Sequence, residues 1–321
     1  MADSTNVQSI DWSTDNASGL VQISTHKMFL RAAGPPRKPG APVVVVECGL
    51  GSTSCQWTAV ARQISEFARI YTYDRSGLDK SDRSPLPRTA ENMAKELKEL
   101  LEAAKVEPPY VVIAHSYGGV LAREFLALEE GNVAGMVFEE ANSEFSYKNR
   151  PQDLEELIGI FWSGMDQNAI TNMDKRHRLT PEEWTYAKRD EPEEEQKVVG
   201  EEMQHYYASC ETLGQKKQFE KKVLGNRPVC VIKGDNAADM QPVFDEAVKQ
   251  GRGTEAQRKT MRDWIANDDE ELRLQEQQLE LSSKGRLVRA RKSGHNVQLT
   301  EPELISEAVR WILEVHTGEK E

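Results

Sequence analysis

Short apolar, β-branched runs alternate along this chain with stretches whose apolar positions recur every three or four residues. Residues 42–47 (Pro-Val-Val-Val-Val-Glu) form a continuous apolar run of the kind found in strands buried on both faces. Residues 69–73, 110–114, 135–138 and 228–232 read the same way, and 286–290 more weakly. Helical patterns lie between them. Thr89 is placed to cap a helix that puts Met93, Leu97, Leu100, Leu101 and Ala104 on one face. Thr300-Glu-Pro-Glu303 has the hydroxyl-to-carboxylate spacing of a capping box and opens a helix that buries Leu304, Ile305, Ala308, Ile312 and Val315. Such alternation implies right-handed crossovers and a parallel sheet covered on both sides. Residues 20–24 and 27–32 predict an antiparallel start. The expected class is α/β, with a mostly parallel central sheet flanked by helices.

One stretch breaks the rhythm. Residues 141–227 contain no convincing strand but several helix starts, among them Thr180-Pro-Glu-Glu183, with Pro at the first helical position and Glu at the third. Pro192-Glu-Glu-Glu-Gln196 loads acid onto a first turn, where the helix dipole favours it. Leu154, Leu157, Ile158, Phe161, Trp162, Trp184, Tyr206 and Tyr207 recur through this stretch. A helical insertion between two strands of one sheet is expected to cap the strand ends. The predicted organisation is a core of residues 17–140 and 228–318, a helical cap of 141–227, and a flexible segment over 1–16.

Composition narrows the possibilities. The chain is 38% hydrophobic and 29% charged, which suits a soluble protein with a sizeable core. A net charge of −12 without a basic stripe disfavours nucleic-acid binding, which requires clustered cations. The polar, acidic start lacks a signal-peptide pattern, and no run approaches the roughly 18 apolar residues of a membrane span. Cys48, Cys55, Cys210 and Cys230 lack paired spacing and read as reduced thiols, so a cytoplasmic location is expected. No metal-ligand spacing or phosphate loop is found, and no cofactor is expected. The acidic run 191–195 reads as a solvated helix start, and 270–280, with Leu272, Leu274 and Leu279, as an amphipathic surface helix.

The chemistry centres on Val111-Val-Ile-Ala-His-Ser-Tyr-Gly-Gly-Val120, where an apolar strand meets a sharp turn and then a helix. This is the context of a nucleophile elbow, with the Ser116 hydroxyl exposed at the carboxyl end of the sheet. Ala114 replaces the first glycine of G-x-S-x-G and stays small. A serine hydroxyl needs a base to take its proton. His26 and His316 lie near the chain ends, His177 and His205 in the expected cap, and His115 beside Ser116, pointing away from it. His295, in Ser293-Gly-His295, follows a late strand, where the order serine, acid, histidine requires the base. Glu140 ends the strand after the elbow and is preferred as the acid, with Asp239 after the next strand as the alternative. Asp235 shares that loop, and Glu139 alternates to the other face. Two backbone N–H groups must face the oxyanion. They are expected from Tyr117 and from Leu50 in Cys48-Gly-Leu-Gly51, with Gly49 as the fallback.

Taken with Tyr73-Asp-Arg-Ser-Gly-Leu-Asp-Lys-Ser81, Pro87-Arg-Thr-Ala90 and Glu107-Pro-Pro-Tyr110, these motifs resemble the α/β-hydrolase superfamily over nearly the whole length. The resemblance implies catalytic roles for Ser116 and His295 and an acid after either of two strands. It also implies that Asp74 and Arg75 form a structural ion pair bracing their turn. The family's usual His-Gly before the oxyanion loop is Cys48-Gly49 here. The expected activity is cleavage of an ester, lactone or thioester of a hydrophobic small molecule through an acyl-enzyme. The alternatives are a cyclase or lyase on the same fold with His295 as base, and a ligand-binding receptor.

Overall fold

A computed structural model describes residues 10–318. Eight strands form one sheet: β1 (Ala17–Gln22), β2 (Lys27–Ala33), β3 (Val43–Glu47), β4 (Ile70–Tyr73), β5 (Tyr110–His115), β6 (Val133–Glu139), β7 (Val229–Lys233) and β8 (Gly285–Arg289). Their spatial order is β1-β2-β4-β3-β5-β6-β7-β8. The first two strands join antiparallel and every pairing from β4 to β8 is parallel. This is the expected fold class. β3, β5, β6 and β7 are buried along their whole length because helices cover both faces, which is why their sequences are unbroken apolar runs. β8 lies at the edge and leaves Arg286 and Arg289 exposed, which accounts for its weaker pattern.

The two faces of the sheet bury separate apolar clusters. One side packs Val43, Val45, Val112, Met136 and Phe138 against Leu97, Leu100, Ala122 and Phe125. The other packs Val44, Val46, Val111, Ile113 and Ile232 against Val60, Ile64, Ile305, Val309 and Ile312. The helix Ala90–Ala103 starts at Thr89, whose side chain accepts the Asn92 N–H at 3.3 Å. The capping box expected at Thr300 is not formed. The helix Pro302–Thr317 starts from Glu301, and the Thr300 hydroxyl lies 3.0 Å from the Asn296 carbonyl and 2.5 Å from Ser293 Oγ. The expected flexible segment 1–16 lies outside the described residues up to position 9. Beyond that it is anchored: Trp12 is buried, and its carbonyl accepts from Tyr71 Oη at 2.7 Å and Arg69 Nε at 2.9 Å.

Among the described residues, the stretch between β6 and β7 is helical and contains no named strand. A second helical stretch, unforeseen in the assignment of 228–318 to the core, separates β7 from β8. It comprises Asn236–Lys249, Glu255–Ile265 and Asp268–Glu276. Leu157 and Phe161 from the first stretch pack with Phe244, Ala247, Met261 and Ile265 from the second. The long helix Glu193–Gln215 also packs downward, through Tyr206, Cys210 and Leu213, onto Met93, Tyr117 and Leu121. Among the described residues, no helix is long and apolar enough to cross a membrane.

Candidate active site

Ser116 follows β5 with φ +52°, a left-handed conformation that is strained for a residue with a side chain. The helix Gly118–Leu128 starts two residues later. Asn142 and Gly119 N–H groups hold the Ser116 carbonyl at 2.7 and 2.9 Å. A side chain at Gly118 would strike the Glu47 carbonyl, so only glycine lets this helix begin against the end of β3. A Cβ at Gly49 would lie 3.1 Å from Ser116 Cβ, so the loop after β3 reaches the serine only because that position is bare.

His295 lies in a turn held from several directions. Lys292 N and Ser293 Oγ donate to Glu301 Oε2 at 2.9 and 2.7 Å. Val297 N donates to Glu139 Oε1 at 2.8 Å, so Glu139 braces the turn that carries His295. His115 does not simply point away from the site. Its ring centroid is 4.8 Å from that of His295, and its Nε2 reaches the His295 carbonyl at 3.0 Å. Burial and the neighbouring His295 push the His115 pKa down to about 3, so a neutral ring donates this bond through Nε2–H.

Glu140 Oε2 lies 3.4 Å from His295 Nδ1. Glu140 itself has φ +48°, which places a second left-handed residue at the site. Its Oε1 accepts Gly234 N–H at 2.6 Å and faces Lys233 Nζ at 3.4 Å, while Gln275 Nε2 reaches Oε2 at 3.3 Å. Burial alone would push this carboxyl up, but the His295 contact, the Lys233 charge and the Gly234 N–H outweigh it and hold it below its ordinary value. Glu139 is driven well above its ordinary value by burial and by the Glu140 charge. Asp239, the alternative acid, lies in the first turn of the helix Asn236–Lys249 and meets Arg176 Nη1 at 2.9 Å. Asp235 caps the same helix through Ala238 N–H at 3.2 Å.

The second arm of the site holds the loop after β3. Leu50 packs beside Tyr117, and among the described residues neither Leu50 N–H nor Tyr117 N–H has an acceptor in the protein. Arg75 does not pair with Asp74 as expected. It bonds Glu202 through Nε and Nη2, both at 2.9 Å, and donates to the Cys48 and Gly49 carbonyls at 2.8 and 2.6 Å. Asp74 accepts the Ser54 N–H at 2.8 Å instead. Arg75 is therefore structural, with a partner 127 residues away.

Ser116 and His295 line one cavity of about 450 Å³, roofed by side chains from both helical stretches. Of the aromatic residues noted in 141–227, Trp162 lines this cavity, and Trp264 joins it from the second helical stretch. Phe161 packs on Phe244 at 5.3 Å, Trp184 on His177 at 4.3 Å, and Tyr206 on Tyr117 at 5.2 Å, all between ring centroids. The walls combine Leu154, Ile158, Met240, Val243 and Ile265 with the carboxamides of Asn142, Gln167, Asn168, Asn236 and Asn296. The stretch read as a surface helix at 270–280 contributes Glu271 to the cavity and Gln275 to Glu140. Lys233, Glu202 and Gln275 had escaped the sequence reading. Lys233 alone left a local signal, as a lysine closing an otherwise apolar strand. Among the described residues, no group of three or more His, Cys, Asp or Glu is placed to hold a metal ion.

A parallel sheet with a serine at a left-handed turn and a histidine–glutamate pair over the same strand ends defines an α/β-hydrolase architecture. Residues 41–191 match the family model for the alpha/beta hydrolase fold. An AB hydrolase superfamily protein of Gibberella zeae is 33% identical, the match covering 90% of this chain and 92% of that one. The chain belongs to the α/β-hydrolase superfamily. A probable transporter of Hormonema carpetanum is 35% identical across 96% of this chain, which spans 44% of that relative's length. Among solved structures, the haloalkane dehalogenase DbeA of Bradyrhizobium elkani matches with TM-score 0.63 and 14% identity, over 95% of this chain and all of that one (100%). A serine hydrolase involved in carbazole degradation matches with TM-score 0.57 and 14% identity, over 93% and 99% of the two chains. At such identities the structural likeness concerns the fold.

Proposed function

We propose that the chain is a serine hydrolase that cleaves an ester, lactone or thioester of small-molecule size through an acyl-enzyme. The observation that carries this reading is the Ser116 hydroxyl and the His295 imidazole opening onto one cavity, with Glu140 at His295 Nδ1. Ser116 Oγ attacks the carbonyl carbon as its proton passes to His295 Nε2. Leu50 and Tyr117 N–H groups hold the resulting oxyanion. Collapse breaks the bond to the leaving alcohol or thiol, which takes the proton from His295. Water then attacks the acyl-enzyme, giving its proton to His295, and expulsion of the acid returns that proton to Ser116. Glu140 stabilises the imidazolium and fixes its tautomer without accepting the proton.

Purified protein is expected to turn over short-chain 4-nitrophenyl esters and to be labelled at Ser116 by a fluorophosphonate. Ser116→Ala should remove both, lowering kcat by about 10⁴-fold or more. Turnover that survives Ser116→Ala but not His295→Ala would overturn the acyl-enzyme and leave His295 as a base for proton-transfer chemistry.

A further inference from the structure

Building on the hydrolase reading, we infer that the substrate carries a carboxylate away from the scissile bond, received by Arg150 on the cavity wall. Arg150 lines the cavity together with Ser116, Asn142 and Ser146. Its guanidinium lies 4.6 Å above the centroid of the Tyr206 ring, a face contact that leaves the in-plane N–H donors uncommitted. The platform beneath it is fixed to the elbow. Tyr206 Oη accepts from Asn142 Nδ2 at 2.6 Å, and Asn142 N–H donates to the Ser116 carbonyl at 2.7 Å.

Among the described residues, several other enclosed arginines have at least one acceptor within the fold. Arg75 meets Glu202 at 2.9 Å, Arg88 meets Glu96 at 2.8 Å, and Arg123 meets Glu144. Arg69 and Arg227 donate to main-chain carbonyls. Among the described residues, the Arg150 guanidinium has neither a carboxylate nor a carbonyl acceptor, although the chain carries 53 acidic residues against 41 basic ones. The cavity's own acids are engaged elsewhere: Asp239 with Arg176 at 2.9 Å, and Glu271 Oε1 with Gln275 Nε2 at 3.4 Å. A guanidinium fork matches a carboxylate bidentately, and partial enclosure strengthens the attraction. A single fork with two acids in the surrounding walls suits one negative charge and disfavours a dianion such as a phosphate monoester.

Two esters of equal acyl length test this: 4-nitrophenyl hydrogen succinate and 4-nitrophenyl butyrate. The unmodified protein should prefer the succinate ester. Arg150→Gln should lower kcat/KM on the succinate ester about 10- to 100-fold more than on the butyrate ester, with Arg150→Lys restoring part of the difference. Calorimetry on Ser116→Ala protein gives a second readout, in which monomethyl glutarate, with one free carboxylate beside an ester, should bind, methyl butyrate, with none, should not, and adding Arg150→Gln should abolish the glutarate binding. Equal losses on both esters with no glutarate binding overturn the carboxylate subsite and leave the hydrolase reading standing. Wild-type turnover in Ser116→Ala sinks the hydrolase reading instead, and the glutarate measurement alone then decides for or against Arg150.

Discussion

Two buried ion-pair groups flank the candidate nucleophile, and they are built in opposite senses. Beside the loop after β3, a cation is enclosed by acceptors: Arg75 lies among Glu202, Glu47 and the Cys48 and Gly49 carbonyls. Behind His295 an anion is enclosed by donors: Glu140 lies among Lys233, Gly234 N–H, Gln275 and the imidazole. The first group fixes main chain and tolerates loss of charge at its edge. There burial pushes Glu47 up to about 7 despite Arg75 alongside, and Tyr73 Oη still donates to it at 2.5 Å. The second group holds a charge: burial alone would push Glu140 up, but its partners keep it below its ordinary value, which the proposed pairing with an imidazolium requires. Removing shape and removing charge should therefore have different consequences on the two sides.

The largest expected effect is on the charged side. Glu140→Gln keeps the volume and most of the donors but removes the anion, so kcat should fall by about 10³–10⁴-fold with KM little changed. Steady-state kinetics on a chromogenic ester measure this, and activity above a tenth of wild type would show that the imidazole needs no anion here. On the other side, Glu202→Gln leaves Arg75 buried and short of a charged partner. Denaturant unfolding should show a loss of about 3–5 kcal/mol, with kcat down by about 10- to 100-fold as the loop offering Leu50 N–H loosens. Arg75→Met with Glu202→Met should recover stability but not kcat. A stability loss without a kinetic one would confine this ion pair to folding.

Lys233→Met separates the two groups by pH. The folded-state value of Glu140 lies below its ordinary 4.5, so the unfolded chain binds more protons in that interval. The stabilisation from ionised Glu140 is therefore complete above 4.5 and is lost as pH falls through the lower, folded value. Removing the Lys233 charge raises that folded value. The acid-side loss of stability should then be smaller and complete at a higher pH, and Lys233→Arg should restore the original profile. An unchanged acid limb would show that Gly234 N–H and His295 hold the carboxylate ionised unaided.

How much of this could be read in the chain follows from distance and exposure. β3, β5, β6 and β7 were legible because burial on both faces demands unbroken apolar runs, and the elbow because strand, turn and helix are contiguous. Arg75–Glu202 and Glu140–Gln275 join residues 127 and 135 positions apart, and local spacing carries no trace of them. At Thr300 the spacing was right and the outcome different, since the hydroxyl was recruited to the turn that carries His295. The aromatic residues of 141–227 showed that an interior exists but not which side of each helix faces the cavity.

The smallest expected effect tests which carboxylate belongs to the base. Asp239 occupies a helix first turn, where the dipole already favours a negative charge, and it pairs with a partly exposed Arg176. Both facts give its carboxylate a structural reason to be there. Asp239→Asn should therefore leave kcat within about threefold and cost about 1–2 kcal/mol, somewhat above the range for fully exposed pairs because this one is partly enclosed. Glu140 also binds Lys233 and Gly234 N–H, but through Oε1, which leaves Oε2 to the imidazole and Gln275. It is buried, strained at φ +48°, and in contact with Nδ1 of an imidazole whose turn is braced by Glu139, His115 and Glu301. A thousandfold loss in Asp239→Asn, matched by a mild effect in Glu140→Gln, would transfer the acid to the helix and leave the enclosure around Glu140 as a folding device alone.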